Sequence, residues 1–165
     1  MEDWSQLVKQ YGSIVWKTVY RLVNNEADAA DCFQNTFVAA WKIRQSEKVE
    51  NWPGLLRRIA SARALDRLRQ RYRDTGRCVG LPEEEPADAK AFDPSRTAES
   101  VEIASNLRNA IANLEAQQAQ AVCLAYLEGF TYQEVAKSMG VTVSHVGVLL
   151  NRARTSLRER LVAAE

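Results

Sequence analysis

The chain has 165 residues, of which 46% are hydrophobic and 26% charged, so it can build one or two small globular cores. Its net charge of +1 favours no class of partner, and its single histidine excludes a histidine-based metal cluster within one chain. The three cysteines, Cys32, Cys78 and Cys123, lack CxxC spacing and indicate reduced thiols rather than a disulfide or zinc framework. Because the N-terminus has no signal-peptide core and no apolar run is long enough to cross a bilayer, we expect a cytoplasmic protein without membrane insertion.

The charge is unevenly distributed along the chain. Residues 1–73 carry 13 basic and 8 acidic side chains, residues 74–106 carry 3 and 8, and residues 107–165 carry 6 and 5. A basic first part, an acidic middle and a slightly basic end indicate separate roles that the whole-chain average conceals.

The amino-terminal part is predicted to form three helices. Apolar residues at helical spacing predict an amphipathic helix over residues 3–24. Asp28 is predicted to cap a second helix over residues 29–44, and the polar segment 45–54, which contains a proline, is predicted to be a loop. A third helix is predicted over residues 55–72.

The third helix is unusually rich in arginine. It holds seven arginines when Arg73 is counted, but only one acid, Asp66. Arg63, Arg67 and Arg71 follow at four-residue spacing and form a row on one face. A solvated charged face would normally intersperse acids for i,i+4 pairing, so the row favours contact with phosphates.

The acidic middle is predicted to be a linker. Residues 74–98 contain three of the four prolines and show no helical periodicity. About 25 residues at ~3.1 Å each span at most roughly 75–80 Å, and two DNA sites two helical turns apart are separated by about 70 Å. The linker can therefore let two DNA-binding modules reach such sites on one duplex.

Helical patterns return after the linker. Residues 99–128 carry two apolar stripes, the second of which includes Cys123 and Tyr126. Thr131 and Glu134 form a capping box for the next helix, and Gly140 supplies its left-handed stop.

A second helix follows the turn after Gly140. Ser144 is predicted to cap it, and Val146, Leu150 and Ala153 form its core stripe. Two short helices, a tight turn and a basic second helix predict a helix-turn-helix whose second helix lies in the major groove. The alternative is an ordinary helical hairpin in a bundle core.

The outward face of that helix carries the candidate base contacts. His145, Val148 and Arg152 lie opposite the core stripe. Val148 is suited to a thymine methyl, and Arg152 to a phosphate or guanine. His145 fits an exposed surface histidine as well as a base contact. A glycine at position 147 lowers the stability of the helix by roughly 1 kcal/mol relative to alanine. This indicates either that another molecule or segment approaches the helix closely at Gly147 or that the protein simply tolerates the cost.

The motifs of common enzymes are missing. The sequence has no Gly-rich phosphate loop, no H-E-x-x-H, no nucleophile elbow and no acid pair in an apolar setting. We therefore expect no enzymatic activity, no catalytic residue, no cofactor and no metal.

Three stretches together resemble the extracytoplasmic-function (ECF) sigma factors of the sigma-70 family. Residues 28–37 resemble the DAxDxxQxTF signature at Asp31, Gln34, Thr36 and Phe37. Residues 58–69 resemble the helix R-I-A-R-N-x-A-L-D-x-L-R, although this chain has Ala62 where the family often has asparagine. Residues 129–154 resemble the carboxy-terminal module, although Gly147, Val148 and Leu149 stand where polar or basic residues are common.

The resemblance implies an all-α fold of two small helical domains joined by a flexible acidic linker. Residues 1–73 would be sigma region 2, residues 74–98 the linker, and residues 99–165 sigma region 4. Promoter-specific transcription initiation would be the function. The partners would be core RNA polymerase, through its β′ clamp and β subunit, promoter DNA, and an anti-sigma factor of the kind that this family often uses.

The resemblance also assigns residues to each contact. The residues implied in core polymerase binding are Asp31, Gln34, Asn35 and Val38. Those implied in recognition and melting of the −10 element are Trp52, Arg63, Arg67 and Arg71. Those implied in reading the −35 element are Thr131, Ser144, His145, Val148 and Arg152. The alternatives are a stand-alone helix-turn-helix regulator that binds DNA as a dimer, and an adaptor that binds only protein.

Overall fold

The computed structural model describes residues 3–74 and 97–163, and all regular secondary structure within these ranges is helical. The elements in chain order are α1 (Trp4–Val23), α2 (Glu26–Ser46), α3 (Trp52–Asp74), α4 (Ala98–Ala112), α5 (Ala116–Val122), a π-helical turn (Cys123–Leu127), α6 (Tyr132–Met139) and α7 (Val143–Ala163). The predicted all-α fold is confirmed. No helix in the described ranges combines the length and apolar character needed to span a membrane.

Helices α1, α2 and α3 pack against one another as a three-helix bundle. The turn between α1 and α2 begins at Asn24, whose positive φ of 47° ends α1. The cap of α2 is Asn25, because its Oδ1 accepts from the backbone N–H of Asp28 at 2.9 Å. The prediction that Asp28 caps this helix is therefore wrong, since Asp28 lies inside the first turn and its carboxylate points towards α3.

The loop before α3 is shorter than predicted. Helix α2 continues to Ser46 and α3 already begins at Trp52. Pro53 stands in the first turn of α3, where a missing N–H costs no helical hydrogen bond. Asn51 caps this turn, since its Oδ1 accepts from the N–H of Gly54 at 3.0 Å.

Helices α4 to α7 form the second helical unit. The capping box of Thr131 and Glu134 is present, and Gly140 ends α6 with φ 69°. Helix α7 begins at Val143, two residues earlier than a cap at Ser144 implies. Its cap is Thr142, whose Oγ1 accepts from the N–H of His145 at 3.1 Å, so the assignment of Ser144 as the cap is wrong.

The π-helical turn changes the direction of one predicted core residue. The N–H of Glu128 donates to the carbonyl of Cys123, five residues back, at 3.0 Å. The extra residue in this turn rotates Tyr126 outward, so its side chain is 51% exposed rather than part of the apolar stripe. Cys123 is fully buried as predicted, and this burial raises the pKa of its thiol to about 12.

The two helical units pack against each other. Their buried side chains belong to one continuous apolar cluster. Arg69 of α3 donates to the carbonyl oxygens of Ala112 and Leu114 at 3.2 and 3.1 Å. Glu128 lies near Arg57 and Arg21, at 3.6 and 3.8 Å. The residues that would connect the units, 75–96, are not among those described, so the predicted reach of the linker stays a prediction.

Candidate functional site

Helix α2 presents one polar stripe to solvent. The four residues predicted to bind the polymerase, Asp31, Gln34, Asn35 and Val38, are all exposed and spaced i, i+3, i+4, i+7, so they share one face. Val38 is 54% exposed. The opposite face of α2 is buried, which fixes the direction of the stripe.

Trp41 extends this stripe by about one turn. Its side chain is 43% exposed. Its ring still packs edge-to-face on Trp4, with centroids 5.1 Å apart. Val38 and Trp41 therefore form an apolar end to an otherwise polar stripe. A large aromatic residue on an exposed helix face is a signal for a contact surface, and periodicity alone did not show it.

An open cleft of about 300 Å³ joins α2 to the arginine-rich helix. Its walls come from the polar stripe on one side and from α3 on the other, and they contain Asp31, Cys32, Gln34, Asn35, Arg63, Asp66, Arg67 and Gln70. The structure thus brings residues predicted for polymerase binding next to residues predicted for DNA binding.

Two arginines of the predicted row are engaged within the protein. Arg67 donates from Nε to Asp28 Oδ1 at 2.8 Å, and its second amino nitrogen lies 2.7 Å from the same oxygen. Arg71 contacts Asp28 Oδ2 at 2.6 Å and donates to the Val23 carbonyl at 2.8 Å. Partial burial favours a raised pKa for Asp28, but the hydrogen bonds and charges of Arg71 and Arg67 outweigh it and lower the pKa below its usual value.

Arg63 differs from the other two members of the row. Its side chain is exposed on the cleft and makes no hydrogen bond or ion pair to any residue in the described ranges. Its guanidinium therefore remains available to a phosphate. The loop of residues 47–51, which precedes α3, is largely exposed beside the same bundle.

Trp52 lies in the core. It is 8% exposed and packs edge-to-face on Trp4, with ring centroids 6.4 Å apart. In this position its ring supports the start of α3 and the loop before it. It does not offer a free face on which a base could stack.

The helix-turn-helix presents a distinct face. Ser144 and Arg152 are exposed, Val148 is 42% exposed, and His145 is half-buried. Thr131 is exposed at the start of α6, where its Oγ1 accepts from the Glu134 N–H at 3.2 Å. Leu149, which stands where polar or basic residues are common in the family that the chain resembles, is 3% exposed and belongs to the core.

A second cleft lies between the two helical units. Its volume is about 510 Å³, and its lining includes Ile43, Ile59, Ala62 and Met139, with Arg58 and Arg63 from α3. Gln120 of α5 closes one side by donating to the Arg58 carbonyl at 3.2 Å. This cleft exists only because the two units are in contact.

Two family models match the chain in order. The model for Sigma-70 region 2 matches residues 7–74, and the model for Sigma-70, region 4, matches residues 104–157. The first covers the bundle with the polar stripe and the arginine-rich helix. The second covers the helix-turn-helix.

Curated relatives carry the same description. The ECF RNA polymerase sigma factor SigE of Mycolicibacterium smegmatis is 31% identical over 162 residues, which are 98% of this chain and 62% of that protein. This chain therefore spans less than two thirds of the length of that relative. The ECF RNA polymerase sigma factor SigW of Bacillus subtilis is 23% identical over 170 residues, covering 97% of this chain and 89% of that protein.

Solved structures show the same fold. The sigma factor RpoE of Bartonella quintana, solved with the anti-sigma factor NepR, matches all of both chains with a TM-score of 0.59 and 22% identity. CnrH, solved with the cytosolic domain of CnrY, matches 98% of this chain and 89% of that one with a TM-score of 0.61 and 23% identity. From both family models and the relatives, we conclude that this chain belongs to the ECF group of the sigma-70 family.

Proposed function

We propose that this protein is a sigma factor that binds core RNA polymerase and directs transcription initiation at promoters with a −10 and a −35 element. The observation that carries this proposal is the order of two family domains in one chain, region 2 at 7–74 and region 4 at 104–157. Each domain exposes a face suited to its proposed partner.

The α2 stripe is the proposed polymerase contact. Asp31, Gln34, Asn35 and Val38 point away from the bundle core on rigid helical backbone. The apolar Val38 and Trp41 can provide buried contact area, while the polar residues provide orientation through hydrogen bonds. The β′ clamp, with the β subunit elsewhere in the complex, is the proposed partner.

The cleft between α2 and α3 is the proposed start of the −10 contact. Arg63 is the leading phosphate contact because its guanidinium has no partner among the described residues. Arg67 keeps 39% of its side chain exposed and can add to the local positive potential. Arg71 and Trp52 act by holding α3 and the preceding loop in place. Arg63 and Arg67 would supply the positive charge that proteins use to follow the backbone of single-stranded DNA.

The exposed face of α7 is the proposed −35 reader. Val148 and Arg152 face the major groove, with Ser144 and His145 at the start of the helix. Thr131 stands at the start of α6, where helices of this motif contact the DNA backbone. An anti-sigma factor is part of the proposed set of partners, because the similar RpoE structure named above is a sigma factor in complex with an anti-sigma factor.

Run-off transcription with bacterial core polymerase tests the proposal. We expect transcripts that start at a shared promoter pattern and that require this protein. Absence of any promoter-dependent transcript from genomic templates would contradict it. The alternative, a stand-alone regulator that binds DNA as a dimer, predicts a different result. The free protein would then bind a palindromic site tightly without polymerase.

A further inference from the structure

The π-helical turn brings an unexpected pair of side chains to the surface. It turns Tyr126 outward beside α7, where Arg154 donates from an amino nitrogen to the Tyr126 hydroxyl oxygen at 3.0 Å. Both residues are exposed, and no carboxylate in the described ranges pairs with Arg154. Because π-helical turns are rare and often occur at functional sites, this pair requires an explanation beyond packing.

The chemistry of the pair is that of an anion site. In this hydrogen bond the tyrosine oxygen is the acceptor, so its own O–H remains free to donate. The guanidinium has five N–H donors and uses one of them here. The pair therefore presents a hydroxyl donor and several charged donors, without a competing acidic group. Guanidinium donors match the geometry of a phosphate oxygen.

Gly147 lies on the same side of α7. It precedes Arg154 by seven residues, which places it two turns away, about 10 Å along the same stripe. A Cβ at Gly147 would meet nothing within 4 Å, so the protein interior does not require a glycine there. A helix-interior glycine costs about 1 kcal/mol relative to alanine, and here no internal contact compensates for that cost.

We propose that Tyr126 and Arg154 bind one phosphate of the promoter DNA backbone beside the recognition helix. Gly147 leaves room for the backbone to approach that flank of α7. The contact positions the helix in the groove and carries no base preference of its own. This inference rests on the proposed function, because it assigns a further DNA contact to the same module.

The test measures DNA binding by the assembled polymerase complex. The probe is a duplex that carries the −35 half of a promoter recovered by run-off transcription and ends upstream of the −10 element. Affinity is measured over a series of salt concentrations for the wild type, Arg154→Gln and Tyr126→Phe. The charge control is Arg160→Gln, an exposed arginine in the last turn of α7 that faces the core-side edge of the helix.

Loss of one phosphate contact has a defined signature. Arg154→Gln should reduce the slope of log affinity against log salt by about 0.9 relative to the wild type. Tyr126→Phe should lower affinity about fivefold, the effect of one hydrogen bond. When the −35 sequence is substituted, both variants should rank the resulting duplexes by affinity in the same order as the wild type. Arg160→Gln should change neither affinity nor slope.

Gly147→Ala provides an independent test of the space proposed for the DNA backbone. It should raise the thermal midpoint of the protein and yet lower the affinity for the same duplex, because the added methyl group occupies the space of the DNA backbone. Gly12→Ala is the matched control, since an added Cβ on α1 at this position lies 3.5 Å from Phe33 of α2, an ordinary van der Waals contact. It should leave DNA binding unchanged.

The outcomes separate the two proposals. If the wild-type complex binds no promoter, the proposed function fails. If the wild type binds but Arg154→Gln behaves like Arg160→Gln, only the phosphate contact is overturned, and the Tyr126–Arg154 hydrogen bond is then purely structural.

Discussion

Asp28 forms ion pairs with both Arg67 and Arg71. These ion pairs determine which arginines of the row remain available to a phosphate. The sequence correctly indicated a dense row with few acids nearby in the helix. The acid that pairs with it comes from another helix, 39 and 43 residues earlier in the chain. Local spacing rules compare residues three or four apart, so they could not detect this partner. The guanidinium of Arg63 forms no ion pair with α1 or α2 in the described structure. The prediction of a phosphate contact therefore still applies directly to Arg63.

The Asp28 cluster leads to a prediction on stability and pH. Asp28→Asn should lower the free energy of unfolding by about 1–3 kcal/mol, because removing one charge leaves two arginines without their partner, while the exposure of Arg67 moderates the loss. The folded pKa of Asp28 lies below the ordinary value of 3.8. Its contribution is therefore present above that value and is lost as pH falls through the folded pKa.

Thermal unfolding followed by circular dichroism between pH 7 and pH 3 checks this prediction. The difference between the wild type and Asp28→Asn should be largest near neutral pH and shrink towards pH 3. Asp66→Asn, which removes an exposed acid from the same region, should show little difference at any pH. A constant gap across the range would contradict the assignment to Asp28 ionisation.

At the scale of single elements, the helices were easier to predict than their ends. Amphipathic periodicity located α1, α2 and α3 because each buries one continuous stripe. Their boundaries moved because several residues in each turn can cap a helix, and the tertiary structure selects one of them. Asn25 rather than Asp28 caps α2 because the Asp28 carboxylate is used by α3. Tyr126 was misplaced because no periodic pattern includes a π-helical turn.

The cap of α7 gives a second prediction. Thr142→Ala should destabilise the protein by about 1 kcal/mol, because the His145 N–H loses its side-chain acceptor. Ser144→Ala should leave the stability nearly unchanged, since Ser144 lies exposed inside the first turn. Urea unfolding of both variants checks this, and equal destabilisation would show that Ser144 shares the capping role.

The polar stripe of α2 gives a third prediction. Replacing Asp31 and Gln34 together by alanine should weaken binding to core polymerase by at least tenfold, because the change removes two of the four side chains of the proposed contact surface. The helical circular dichroism signal should not change, since neither side chain is buried. The matched control replaces Gln6 and Lys9, two exposed residues of α1. Unchanged polymerase affinity in the double variant would refute the docking assignment.

At the scale of the whole molecule, the two helical units are in contact, whereas the proposed function needs them apart. A compact chain of this length has a radius of gyration of about 15 Å. Two promoter elements two helical turns apart are separated by about 70 Å. We therefore propose that the arrangement in which Arg69 contacts the end of α4 belongs to the free protein, and that binding to polymerase and promoter separates the units.

Removal of the contacts between the units gives a fourth prediction. The double variant Arg69→Ala, Glu128→Ala should increase the radius of gyration of the free protein, measured by small-angle X-ray scattering, because it removes the arginine contacts to the α4 end and to Glu128. Arg160→Ala, Glu159→Ala, which changes the same charges at exposed positions of α7, should not. An unchanged radius would mean that the apolar cluster and the remaining polar contacts, such as that of Gln120 with the Arg58 carbonyl, hold the units together.

The capping of α4 by Arg69 also provides a reporter of this separation within the protein. The last carbonyl groups of a helix lack partners in their own helix, and here a guanidinium from the other unit binds the carbonyls of Ala112 and Leu114. When the units part, these carbonyls turn to water and the last turn of α4 should fray. Its backbone amides should then exchange hydrogen for deuterium faster than those of α7, so native-state exchange can follow the opening of this protein without any attached label.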